Sequence, residues 1–565
     1  MCCKGLAFLR CRGLRLSLCL LLAALASACG SDDRGKIEVV EGFAGLVAGD
    51  EPRAVAIGRD VLGNGGTAAD AAVAMYFTMA VTMPSRAALG GGGACTVFNA
   101  GSNRLGKAAF GEAYIFAPGV NEAGLPVPIN ARAMGALHAR HGVRRWEQLV
   151  SPAEQLARFG HAVSRAFARD IAAGRATIQG DLALLRSLSN RNGQLAGEGD
   201  IVVQDALSSV LSGIRSQGAG YMYQGQFADR LAAAYKDVGV PMTKDALWKV
   251  LPQAGDALTL RIGKDVAYFP PPPEAGGIMT AQLWQLLTEV ESYSDAEALD
   301  RAHLFAEASL AVFADRDARA ARPNGGRDSL SVEVEESDAD EEGAEEVEVT
   351  LLDVAESDVS EEHVSLLLAG YDPARHKDPM SFAVPPRQNP SNPYVASFVA
   401  ADRWGDGVAC SFTMNGLFGS GRVAPETGIL IAAPVLPGAV LLTPVIVGNK
   451  NTGDLRFAGA ASGGLAAPLA LSRVMLDTLD GGEDLKAALD APRVIHVGAP
   501  DVTWHEAALP AEVRQGLEAR GHRLREVPNI GEVVALVCPG GILDDDEGCQ
   551  VAVDRRGFGL ANRVE

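Results

Sequence analysis

Ser462 stands in the run Ala460-Ala461-Ser462-Gly463-Gly464, one alanine short of the Gly-x-Ser-x-Gly turn that exposes a serine nucleophile between a strand and a helix. Such a serine needs an acid and a histidine later in the chain, and His496, His505 and His522 follow it. His138 and His141 are three residues apart, a spacing that shares one helix face, but no third ligand accompanies them and HExxH is absent. The other histidines are scattered, so neither a metal nor a cofactor is expected. Gly90 to Gly93 suggest a phosphate loop, yet no Lys-Ser/Thr follows; the run reads as backbone packed too closely for side chains.

The elements that would position these groups are legible in the patterning. A stretch around Ala54 to Leu62 and the Ala-rich stretch after Thr67 read as helices, with Gly63-Asn64-Gly65-Gly66 between them and Thr67 and Asp70 spaced as a capping box. The middle of the chain is mostly helical. From about Tyr394, short strands and Gly-rich turns take over, and FVAADRWGDGVACSFTM reads as a hairpin. Strands towards both ends with helices between imply one intertwined layered domain. Among 565 residues, 48% are hydrophobic, enough for a large core.

Residues 1–28 read as an export signal: Lys4, Arg10, Arg12 and Arg15, then an apolar stretch too short to span a membrane comfortably, then small residues. Cys29 follows at a lipobox-like position and would be the lipidated first mature residue, with 29–41 as a tether; an ordinary signal peptide cut after Ala28 is the other reading. Either way the protein is expected to be exported and bacterial, held at a membrane only through a lipid anchor. Five of the nine cysteines lie in this leader or, as Cys29, directly after it. Of Cys95, Cys410, Cys538 and Cys549, the last two flank a turn and could pair in an oxidising compartment, or stay as free thiols. The net charge is −20, but 16 acidic residues fall between Asp328 and Glu362 with no basic residue among them, and without them it is −4. The acidic insert, about 328–349, reads as a solvated loop, and no basic stripe suits nucleic acid.

The order of motifs resembles the γ-glutamyltransferase family of N-terminal-nucleophile hydrolases. The matching pieces are GRDVLGNGGTAADAAVA, LGGGG, SPAEQLARFGHAVS, MYQGQFADRLA, PPPPEAGGI, FTMNGLFGSGRVAPETGIL, SGG and LDAPRV. The resemblance implies an α+β fold, a four-layer αββα sandwich. It implies a large-subunit-like part (42–394) and a small-subunit-like part (395–565). In such enzymes the chain cuts itself before a threonine, which then attacks γ-glutamyl amides such as glutathione. That chemistry needs a hydroxyl freed at the start of a strand, backbone donors for an oxyanion, and an arginine for the substrate carboxylate.

The hairpin sets the register for carrying these roles over. The nucleophile position falls on Val395, which has no oxygen. The arginine of the family's clamp falls on Gly111. The acidic pair after the Gly428-Ile429-Leu430 strand is missing from IAAPVLPG, and the paired serines are replaced by Val440 and Leu441. Asn415 and the oxyanion glycines Gly463 and Gly464 remain. Scaffold residues survive where chemical groups do not, so the chain reads as an uncleaved pseudoenzyme or binding protein. A small amide, a peptide or a protein is the expected ligand of the ancestral cleft. One alternative is an active amidase or acylase using Ser397, two residues on and on the same strand face, with the site shifted by about 7 Å. Ser391, in a proline-flanked loop, is a weaker candidate. Another alternative is a structural protein acting through the acidic insert. In the family frame the Ser462 loop supplies backbone donors, not a nucleophile.

Overall fold

The computed structural model describes residues 39–565 except 102–107, 118–119, 122–123, 291–292, 323–329, 332–347, 350, 388–391 and 436–440. The leader with Cys29, most of the tether, nearly all of the acidic insert, Ser391 and Val440 lie outside the described residues.

Thirteen strands build two sheets. They are β1 (Gly45–Gly49), β2 (Gly92–Asn99), β3 (Phe110–Phe116), β4 (Gln253–Asp256), β5 (Leu258–Ile262), β6 (Asp265–Phe269) and β7 (Val395–Asp402). Then come β8 (Gly407–Thr413), β9 (Val445–Gly448), β10 (Leu455–Ser462), β11 (Glu532–Val537), β12 (Gln550–Val553) and β13 (Leu560–Val564). The first sheet runs β13-β1-β7-β8-β2-β3-β4 and the second β12-β11-β10-β9-β6-β5. Each therefore mixes strands from before and after position 395.

The strands alternate two kinds of small and branched apolar residues, and that alternation sets the layers. Val395, Val399 and Ala401 of β7 join Leu46, Ala458, Ala460, Val534 and Leu536 in a core between the sheets. Ala396, Phe398 and Ala400 point the other way, against α1 (Pro52–Gly63) and α2 (Ala68–Thr82). On the far side of the second sheet, Phe457, Ala461, Val533 and Ala535 pack on α4 (Ala275–Gln285), α5 (Ala298–Ala320) and α6 (Ala467–Met475); α3 (Arg165–Ala173) packs through Phe167 and Ile171 in a smaller core with Met414 and Phe418. The result is an α+β sandwich of four layers, helix, sheet, sheet, helix.

Local chemistry fixes the register on which position 395 depends. Thr67 Oγ1 accepts from the Asp70 N–H (3.2 Å) and Asp70 Oδ2 from the Thr67 N–H (3.0 Å), which closes the capping box of α2. The buried Asp402 carboxylate ties that helix to the β7–β8 turn. Its Oδ1 accepts from the N–H groups of Trp404 and Asp406, and its Oδ2 from Ala68 (2.8 Å). Glycines let backbones meet: a Cβ on Gly90, Gly91 or Gly93 would lie 2.0–2.4 Å from the carbonyl oxygen of Leu430, Thr413 or Ser411.

All four cysteines of the described residues are paired. Cys538 bonds to Cys549 across the turn between β11 and β12. Cys95 bonds to Cys410, its direct cross-strand partner on β8. The second pairing joins residues 315 apart in sequence and was not anticipated from spacing.

Candidate functional site

Val395 opens β7 opposite Thr413 and is fully buried, its side chain in the inter-sheet core. The residue at the nucleophile position thus works as packing, contributing about 1.5–3 kcal/mol by burial. Its carbonyl is occupied as well, accepting from Arg86 Nη1 at 3.2 Å.

Arg86 lies just before the glycine run, in the turn Pro84–Ala87, and is the centre of a charged network. Its Nε and Nη2 donate to the two oxygens of Asp170 on α3, both at 2.7 Å. Ser85 Oγ donates to the same carboxylate at 2.7 Å. Arg86 Nη1 lies 4.0 Å from Glu532, the first residue of β11. Glu532 is held in turn by both terminal nitrogens of Arg169 (2.8 and 3.2 Å). Glu532 pairs in register with Ser462, so this network meets the strand end from which Gly463 and Gly464 lead away.

Asp50 completes the cluster. It follows β1, donates its N–H to the Ser397 carbonyl (3.0 Å) and accepts the Ser397 N–H on Oδ2 (2.8 Å). Burial pushes its carboxyl up to about 7, helped by the Glu532 charge and opposed by Arg86 and the Ser397 N–H. The unfolded carboxyl titrates near its ordinary value, so between about pH 4 and pH 7 the folded state binds more protons. The stability this group contributes is complete below about pH 4 and is lost as pH rises through about 7, by at most about 1.4 kcal/mol per unit. Asp50→Asn is expected to flatten that slope; urea midpoints at pH 5 and 7.5 that stay as far apart as in the unaltered protein would contradict it.

The remaining sequence candidates fall into place around this network. Ser397 sits inside β7, fully buried, its Oγ 3.2 Å from Ser411 Oγ, with both backbone groups bonded to Asp50. At Gly111 a Cβ would lie 2.3–2.5 Å from the Tyr268 ring, so the clamp position is filled by that ring and takes no side chain as packed. Asn415 has a left-handed backbone (φ 58°), and its Nδ2 donates to the Ala433 carbonyl at 3.0 Å. Gly463 (φ 130°) and Gly464 (φ 61°) keep backbone conformations that favour glycine, and a Cβ on Gly463 would lie 2.7 Å from Gly531 Cα. Leu441 is buried in the core outside the second sheet. Ser462 ends β10, buried. His505 Nδ1 bonds the Glu506 carbonyl at 3.0 Å.

His138 and His141 take different partners, the Arg144 carbonyl (2.8 Å) and Glu112 (2.5 Å). The expectation of scattered histidines is corrected elsewhere. The fold brings His303, His376, His496 and His522 together with Glu307 and Asp501, where α5 meets residues 372–376 and the sheet of Val494–His496, Thr503–Glu506 and Leu524–Val527. Sequence reasoning missed this cluster and the network of Arg86, Asp170, Arg169, Glu532 and Asp50. The one available signal for the network was an arginine set in the otherwise uncharged run MPSRAALGGGG.

Residues 54–433 and 440–561 match the family described as Gamma-glutamyltranspeptidase. The glutathione hydrolase proenzyme of Bacillus subtilis is 26% identical over 556 residues, covering 89% of this chain and 89% of its own length. The glutathione hydrolase proenzyme of Escherichia coli is 24% identical over 544 residues, covering 87% and 88%. The crystal structure of cephalosporin acylase from Bacillus halodurans shares the fold, with a TM-score of 0.72 at 20% identity over 94% of this chain and 97% of that one.

Proposed function

The chain belongs to the gamma-glutamyltranspeptidase family, and from that membership we propose a protein that has kept the scaffold and given up the chemistry. It stays one uncut chain, does not turn over γ-glutamyl amides, and serves as a binding protein, exported and lipid-anchored through Cys29. The observation that carries this reading is Val395, a residue without a hydroxyl at the start of β7, buried between the sheets. Three further features support it. A substrate carboxylate finds no arginine at Gly111, where Tyr268 fills the space. The Val395 carbonyl is tied to Arg86, inside a network whose carboxylates are already paired with Arg86 and Arg169. Ser397 is a poor replacement, since freeing its amine means breaking a strand whose backbone is bonded on that side to Asp50.

With the clamp gone, the ligand is not a free γ-glutamyl compound but a small amide, a peptide or a protein at the rim of the old cleft. The test is the intact mass of the leaderless protein, reduced so that the bond between Cys95 and Cys410 does not hide a cut, together with release of anilide from a γ-glutamyl anilide. A single full-length species without turnover is expected. Val395→Thr is expected to stay uncut as well, and to lose about 1–2 kcal/mol by burying a hydroxyl in an apolar layer. Two fragments, the second beginning at Ser397, or turnover by the unaltered protein, would overturn the proposal.

A further inference from the structure

The histidine cluster lies apart from the network at Val395, and its bonding pattern has a direction. His303 Nε2 meets the Asp372 carbonyl at 3.0 Å. A carbonyl only accepts, so that nitrogen carries the proton and Nδ1 of His303 is left as a lone pair. Nδ1 faces His522 Nε2 at 2.8 Å. The other nitrogen of His522, Nδ1, is 2.8 Å from Thr503 Oγ1. Glu307, one helical turn from His303 on α5, places Oε1 3.7 Å from His522 Nε2. All three residues are buried, and their ligand atoms lie within 4.8 Å of one another.

From this geometry we infer that His303 Nδ1, His522 Nε2 and Glu307 Oε1 form a site for a divalent transition-metal ion of zinc type. Two imidazoles and one carboxylate, with a fourth position open, are a common donor set for that ion. Each ring has its outer nitrogen held by an oxygen, the arrangement that fixes the tautomer and aim of a metal-bound histidine. The carboxylate is oriented too: Glu307 Oε1 accepts from His376 Nδ1 (2.5 Å) and Oε2 from the Lys377 N–H (3.2 Å). In the metal-free state a single proton occupies the gap between the two inner nitrogens. An ion in its place needs that gap to widen by about half an ångström, to the spacing of two nitrogens on tetrahedral zinc. His522 then carries its proton on Nδ1, and Thr503 Oγ1 accepts that hydrogen bond where its hydroxyl had donated one.

The neighbouring trio of His376, His496 and Asp501 is less suited. The Gly498 N–H donates to His496 Nδ1 at 3.1 Å, which leaves the His496 proton on Nε2, the nitrogen that would have to bind.

The test is titration of Zn2+ into chelator-treated full-length protein, by calorimetry and by competition with a chromophoric chelator. One equivalent is expected to bind and to raise the melting temperature. Co2+ in its place is expected to give the visible bands of a tetrahedral nitrogen and oxygen site, erased by added Zn2+. His522→Ala and Glu307→Gln are expected to abolish the high-affinity equivalent. Should His522→Ala fold poorly, Thr503→Val keeps all three ligands and is expected to weaken binding by about 10–100-fold. Absence of a bound equivalent, or binding unchanged in Thr503→Val and Glu307→Gln, would overturn the site and leave a proton-sharing network in its place.

Discussion

Arg86→Ala is expected to lower the unfolding free energy by about 3–5 kcal/mol, the usual cost of removing one partner from a buried ion pair. The Arg86 and Asp170 side chains are 4% and 1% exposed. Losing the guanidinium leaves the Asp170 carboxylate with Ser85 Oγ as its one remaining side-chain donor among the described residues, and leaves the Val395 carbonyl without the Arg86 donor. Coulomb attraction alone would not justify such a number, because two charges lose much of their hydration on burial. The loss comes from the charge left behind. Replacing both partners together, as Arg86→Met with Asp170→Leu, is therefore expected to cost less than Arg86→Ala alone. Urea unfolding at fixed pH measures both, and the double-mutant cycle isolates the coupling. A cost below about 1 kcal/mol for Arg86→Ala would mean that water reaches this network as it does a surface pair, and that the old cleft is open.

Removing the bond between Cys95 and Cys410 is the second large effect. In the chain-entropy picture a cross-link stabilises by restricting the unfolded chain, more so for longer loops. A separation of 315 residues gives an upper figure of about 6 kcal/mol. The bond between Cys538 and Cys549 spans 11 residues and gives about 3 kcal/mol at most. Cys95→Ala with Cys410→Ala is thus expected to shift the urea midpoint more than Cys538→Ala with Cys549→Ala. Both long-range sulfurs are fully buried, so the first pair of changes also removes volume under α2. The reverse order of midpoints would show that unfolded-state restriction is not what these bonds provide.

What was legible in the sequence was short in range. Thr67 and Asp70 are three residues apart, and their capping box formed as spaced. Asp402 marked the turn of a hairpin, and that turn set the register that led to Val395 and Asn415. Gly90 to Gly93 announced a tight approach of backbones, which the Cβ positions bear out. The rest depends on pairs that no local pattern links. Arg86 meets Asp170 across 84 residues, Arg169 meets Glu532 across 363, and His303 meets His522 across 219. A charged residue's type says only that it needs a partner if buried; the fold alone names the partner. The single glycine at 111 illustrates the same limit, since the sequence showed a missing arginine and could not show the Tyr268 ring standing in its place.

The first sheet places β1 between β7 and β13, so residues 45–49 are flanked by residues 398–402 and 560–564. A ribosome releases these three segments in order, and the earliest must wait for the latest. During synthesis Leu46, Val47 and Ala48 lack the two strands that later cover their backbone edges, and the protein cannot complete its central sheet from a nascent chain. Completion of the first sheet then waits until residues 560–564 have left the ribosome, and the apolar first strand has to be kept from other chains in the interval.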